Sequence, residues 1–221
     1  MPFYKIDLHV HTNYSDSSST VEDVLDTARK KGLDGIAITD HDNVYGWMYA
    51  SKLVSDLLII PGLEVTTKDG HLILLGIKNP PPKGSDAIDV SNYARREDGI
   101  VIVPHPNIPF IGVREEIIEV MRPDAIETGN ARIPFNRMME KNVRLAERLG
   151  LPQTGGSDTH IHTTVGDTYT VVEAEERPVD AVLDAIRGGK VRPVGKTLSW
   201  LEKVKMVLSM ATLSLKFWQR D

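Results

Sequence analysis

Six of the seven histidines in this 221-residue chain, His9, His11, His41, His71, His105 and His160, fall where an apolar run gives way to a turn. Asp16, Glu64 and Asp158 lie among them, so nine side chains with imidazole nitrogen or carboxylate oxygen recur from the first predicted strand to the last third of the polypeptide. Such donors suit zinc, manganese or iron, and nine are too many for one tetrahedral ion, so the natural reading is a multinuclear centre. His9 and His11 are two residues apart at a strand end, which sends both side chains from the same face and lets them converge on one ion. A water bridging such ions loses a proton near neutral pH and becomes a nucleophile, while the ions neutralise charge that develops in the transition state. The expected chemistry is metal-assisted hydrolysis without a covalent enzyme intermediate.

These side chains need a scaffold that brings many strand ends together. Tyr4 to Val10 reads as a strand, and Thr20 caps a helix from Val21 to Lys31 that Gly32 closes. Gly35 to Thr39 is a second strand, Tyr45 to Ser55 a helix, and Leu57 to Leu63 a strand delivering Glu64. Asp69-Gly70 favours a type I′ hairpin turn, which pairs Glu64 to Thr67 with His71 to Ile77 and brings Glu64 near His71. Pro80, Pro81 and Pro82 mark a surface loop within Lys78 to Gly84. Helices over Asp86 to Asp98, Asn136 to Leu149 and Val179 to Arg187 alternate with strands over Ile100 to Val103, Ala125 to Thr128, Leu151 to Thr154, Thr168 to Val172 and Val191 to Val194. Strand-helix alternation argues for parallel strands, and ligands after so many different strands favour a barrel.

Composition narrows the function classes. A net charge of -5, from 26 basic and 31 acidic residues, supplies no positive field for duplex nucleic acid. Cysteine is absent, which removes disulfides and thiolate catalysis and fits a reducing compartment, so a cytoplasmic location is expected. No apolar run is long enough to span a bilayer.

His9-Val10-His11, Thr39-Asp40-His41, Pro104-His105-Pro106 and Gly156-Ser157-Asp158-Thr159-His160 follow one another in an order and spacing that resemble the four motifs of the polymerase and histidinol phosphatase (PHP) family, over about Lys5 to Arg192. The resemblance implies a distorted seven-stranded β/α barrel of TIM-barrel type with three divalent ions at the C-terminal ends of the strands. It implies that His9, His11, Glu64 and Asp158 hold one ion, that Glu64 bridges to a second completed by His71 and His105, and that Asp16, His41 and His160 hold a third. Aspartate at position 16, where some relatives have histidine, would shift preference toward harder ions such as manganese. The implied activity is phosphoesterase action on a small phosphate monoester or nucleotide. The alternatives are a histidinol-phosphate phosphatase, a 5′-3′ exonuclease on short oligonucleotides, and a non-catalytic metal-binding module.

Other residues stand beside this set. Asp40 either orients a ligand imidazole or water or caps the following turn. Arg132 can fork two hydrogen bonds to a substrate phosphate or be a solvated surface charge, with Lys196 and Arg114 weaker candidates for the same task and Asn130 for holding substrate or loop. His71 and His105 also have bland readings, as a hairpin residue and as part of a rigid proline turn, and His162 stays outside the donor set. Residues 1–196 are expected to form the catalytic barrel. In residues 197–221, Trp200, Leu201, Val204, Val207, Leu208, Ala211, Leu215 and Trp218 recur at helical spacing, as for a helix packing on the barrel or at a homo-oligomer interface; a membrane surface is the sharper alternative.

Overall fold

A computed structural model describes residues 1–53, 56–133, 136–176 and 178–195. The expected terminal helix and Lys196 lie outside those residues. Nine strands and six α-helices are present among them: β1 (Phe3–Val10), α1 (Val21–Lys30), β2 (Gly35–Ile38), α2 (Tyr45–Leu53), β3 (Leu58–Thr67), β4 (Gly70–Leu75), α3 (Ala87–Arg96), β5 (Ile100–Val103), α4 (Glu115–Met121), β6 (Ala125–Asn130), α5 (Asn136–Leu149), β7 (Gln153–Gly156), β8 (Thr168–Glu173), α6 (Val179–Arg187) and β9 (Val191–Gly195). The order in the sheet is β7-β6-β5-β4-β3-β2-β1-β8-β9.

Seven strands were implied and nine are found. The pairings give the reason: β4 runs antiparallel to β3 and β5, β8 runs antiparallel to β1 and β9, and the other seven share one direction. Both reversals follow from short connections, because a parallel return needs a long crossover. The Asp69-Gly70 turn reverses β4, with Gly70 at φ +128°, where a side chain is strained. Between β7 and β8 the eleven residues 157–167 carry no α-helix, only the 3₁₀ turn His162–Thr164, and β8 comes back against β1 rather than along it.

The sheet closes on itself at one end. Past β7, Val10 and Thr159 form a parallel bridge, and the Asp158 N–H donates to the His9 carbonyl at 2.8 Å. The lower half of β1, Phe3 to Ile6, pairs with β8 instead. Alternation of side chains across each strand separates two faces. Ile60, Ile73, Leu75, Ile100, Ile102 and Ala125 point inward and pack on Val182, Leu183 and Ile186 of α6, which seals the other end. Outward residues such as Leu72, Leu74 and Val101 meet Val90 and Ala94 of α3 and Ile118 of α4. The inward column of each strand continues into a polar residue at the mouth: Ile60 into Glu64 on β3, Ile73 into His71 on β4, and Ala125 into Glu127 on β6.

Helix α1 begins where its sequence says. Thr20 accepts from the Asp23 N–H, and Asp23 accepts in return from the Thr20 N–H, a reciprocal cap contributing about 1 kcal/mol. Among the described residues no helix is long and apolar enough to cross a membrane.

Candidate metal centre

The strand ends at the closed mouth bring all nine donors together. Glu64 lies at the middle: its Oε2 is 3.1 Å from Nε2 of His9, 3.1 Å from Nε2 of His11 and 3.6 Å from Nε2 of His41. Its Oε1 faces the other way, 2.9 Å from His71 Nδ1 and 3.2 Å from His105 Nε2. The β3–β4 register explains the His71 contact, since Thr66 pairs with His71 and sets it diagonally across from Glu64 on one face. Asp158 Oδ1 approaches both His9 and His11, at 3.7 and 3.6 Å. On the outer side Asp16 Oδ2 is 2.9 Å from His160 Nε2 and 3.8 Å from His41 Nε2. Four overlapping groups of three or four donors have ligand atoms mutually within 4.8 Å, and together they use the nine expected residues and no other described side chain.

Burial differs across this cluster. His9, His11 and Glu64 are essentially inaccessible, whereas the Asp16 side chain is 39% exposed. Burial alone would drive Glu64 toward its neutral form, but His9, His41, His105 and His11 outweigh it and hold the carboxyl well below its ordinary value. His9 is the converse: burial opposes its charge, and Asp158, Glu127 and Glu64 overcome that and push its pKa well up. Burial dominates at His11, whose pKa falls to about 3, so this imidazole is neutral.

These residues fit divalent ions. Neutral His11 offers a lone pair, the form a metal requires. Its Nε2 sits 3.1 Å from His9 Nε2, an opposition of two ring nitrogens that a proton or a cation must reconcile. Nδ1 of His11 is buried without a hydrogen-bond partner and lies 3.8 Å from Asp16 Oδ1, a further sign of a site not completed by protein groups alone. His105 and Asp158 hold left-handed backbone, φ 32° and φ 50°, at a cost of about 1–3 kcal/mol each for such outliers. Fixed bonds impose it: the His105 N–H donates to Glu127 Oε2 at 3.1 Å, and the Asp158 N–H to His9 O.

The remaining candidates separate. Asp40 lies beside the donor groups and fastens a loop: its carboxylate accepts from the Thr12 N–H, the Thr12 hydroxyl and the Ser15 hydroxyl, each at 2.7 Å, and so fixes the turn carrying Asp16. These bonds hold the loop after β1, not the turn that follows Asp40. Arg132 Nη1 lies 2.9 and 3.0 Å from the two ring nitrogens of His160 and 3.4 Å from Asp158 Oδ1. Asn130 holds the loop, accepting from the Arg132 N–H and donating to Glu127 and Asp158. Arg114 is the exposed N-cap residue of α4, and His162 bonds Ser19 away from the cluster. Glu127 was not among the expected site residues, yet its Oε1 lies 2.9 Å from His9 Nδ1. The available signal was an acidic residue two positions after Ala125, on the inward alternation of β6.

A family model described as PHP domain matches residues 7–87, and one described as PHP-associated matches residues 137–191. An uncharacterized protein of Methanocaldococcus jannaschii is 31% identical over 140 residues, covering 58% of this chain and 82% of that protein. A protein of Shewanella sp. (strain ANA-3) described as a probable phosphatase is 24% identical over 220 residues, covering 82% of this chain and 87% of its own length. Among solved structures, a two-domain Bacteroides vulgatus protein described as containing a predicted PHP-like metal-dependent phosphoesterase superposes with a TM-score of 0.77 at 18% identity, covering 94% of this chain and 70% of that one.

Proposed function

The chain belongs to the PHP family, and from that premise we propose that it hydrolyses a small phosphate monoester or nucleotide in a centre of three divalent ions. The observation that carries the proposal is Glu64, whose two oxygens face two different sets of imidazoles. His9, His11 and Asp158 would hold the ion on one side of it and His71 and His105 the ion on the other, with Asp16, His41 and His160 holding the third. Bound there, divalent ions, with manganese, zinc and iron as candidates, supply Lewis-acid charge and a nucleophile at neutral pH.

The protein residues divide the rest of the work. Glu64, His9 and His11 are buried and keep bulk water from the inner donors, which strengthens every charge interaction there. Asp16, His41 and His160 border solvent, so the substrate enters on their side. Arg132 lies on that side with its side chain 28% exposed and meets the incoming phosphate as a fixed cation with several N–H donors. Between β4 and β5 the chain spends only α3 and a short loop, which supplies no inserted element to grip a polynucleotide and favours a small ester over a 5′-end exonuclease substrate.

The test is phosphate release from p-nitrophenyl phosphate, nucleotides, nucleoside bisphosphates, short 5′-phosphorylated RNA and histidinol phosphate. Release from a small ester, abolished by chelation and restored by manganese, is expected. Metal-loaded protein inert to the whole panel would favour a non-catalytic module.

A further inference from the structure

Strand β6 donates no side chain to the nine-donor cluster, yet its end touches the cluster at three points. The orientation of Asn130 is fixed by an unambiguous donor: the Arg132 backbone N–H reaches Asn130 Oδ1 at 2.8 Å. Asn130 Nδ2 must then face the two carboxylates beside it, Glu127 Oε2 at 2.8 Å and Asp158 Oδ2 at 3.2 Å. Glu127 Oε2 also accepts the His105 backbone N–H at 3.1 Å. With Oε2 taken by two donors, Oε1 is left for His9 Nδ1, 2.9 Å away. Gly156 makes the juxtaposition possible, because a Cβ there would collide with the His9 side chain and crowd Glu127 Oε1. Glu127 is 1% exposed, so its burial is compensated by these bonds rather than by water.

We propose that Glu127 is a positioning residue that keeps the proton of His9 on Nδ1 and so aims His9 Nε2 into the centre, while bracing the His105 backbone and, through Asn130, Asp158. An ionised carboxylate only accepts, so the ring nitrogen against it carries hydrogen and the opposite nitrogen is presented for ligation. One buried side chain thereby sets the direction of donors on strand β1 and on the loops after β5 and β7. The inference rests on the metal-centre reading above and adds the group that pre-forms it.

The test uses full-length protein with zinc alone as the probe. Chelator competition gives the affinity of the tightest ion, elemental analysis the stoichiometry, and nitrogen-edited NMR the His9 Nδ1–H resonance. Glu127→Gln keeps the shape but puts an NH₂ against either the His9 N–H or the His105 and Asn130 donors. It should leave a folded chain that binds zinc about 10- to 100-fold more weakly and loses the His9 Nδ1–H signal. Asn130→Ala removes its bonds to Glu127, Asp158 and the Arg132 N–H but leaves Glu127 against His9, and should weaken zinc less while keeping that signal. A merely structural Glu127 would lower the melting temperature of the metal-free protein and move neither zinc affinity nor the resonance. Wild-type affinity with an intact His9 signal in Glu127→Gln overturns the inference. If that variant does not fold, unchanged zinc affinity in Asn130→Ala overturns it instead. Failure of wild type to take zinc at all sinks the metal-centre reading itself, which separates the two failures.

Discussion

The donor cluster has two unlike halves. The inner half, His9, His11, Glu64, His105 and Asp158, hangs on strand ends and is buried; the outer half, Asp16, His41 and His160, borders solvent, and Asp16 rides on a loop held by Thr12, Ser15 and Asp40, while His71, half-buried against Glu64, lies between the two. Buried charge tolerates no missing partner, so the inner donors form an interdependent set in which the imidazoles favour ionised Glu64 and, with no ion bound, the carboxylates favour a protonated His9 that gives up its Nε2 proton to ligate. The outer donors are few and partly hydrated, so losing one should cost one ion and leave the rest. The fold thus sets a buried group of donors beside a more hydrated one.

Breaking the inner half should have the largest effect. Glu64→Gln, and likewise His9→Ala, should drop turnover by more than roughly a thousandfold, about 4 kcal/mol, with the fold retained in circular dichroism. Elemental analysis of Glu64→Gln should show loss of both ions it would bridge; retention of all ions would contradict the contrast between halves.

The scaffold beneath the inner half gives a stability test. Asp7 accepts from the Ser157 and Gly166 N–H groups and ties β1 to the loop bearing Asp158; burial raises its pKa to about 6 from the ordinary 3.8. A carboxyl with a raised folded pKa contributes its stability below the unfolded value and loses it as pH rises through the folded one. Urea unfolding of metal-free protein should therefore find that Asp7→Asn gains about 3 kcal/mol on wild type between pH 4 and 6.5. A pH-independent difference would refute the shift.

Effects at the outer half should be smaller. Asp16→Asn should lose one ion, keep the inner ones and turn over about 10- to 100-fold more slowly; loss of every ion would erase the distinction between the halves. Arg132→Ala should lower kcat/KM by about tenfold, near the 1.5–3 kcal/mol of a charged hydrogen bond discounted for exposure, with metal content unchanged. A drop in metal content would make Arg132 part of the scaffold instead.

Much of this was legible in the residues. The Asp69-Gly70 turn dictates the hairpin that puts His71 against Glu64, and strand-end placement anticipated the meeting of His9, His11 and Asp158. Strand direction was less legible: an apolar run such as Thr168 to Val172 reads the same whichever way it points, and only the short 3₁₀ connection before it makes β8 run against β1. Helix α4 was missed because seven residues give barely two turns of periodicity. Glu127 was missed as a functional residue because its inward place on β6 marks it locally, while its partner His9 lies 118 residues away.

Anomalous diffraction from crystals grown with manganese or zinc tests the central claim most directly. Three peaks are predicted, two flanking the Glu64 carboxylate and one between Asp16, His41 and His160. A map without peaks from metal-replete protein, or with these imidazoles turned away from one another, would contradict it.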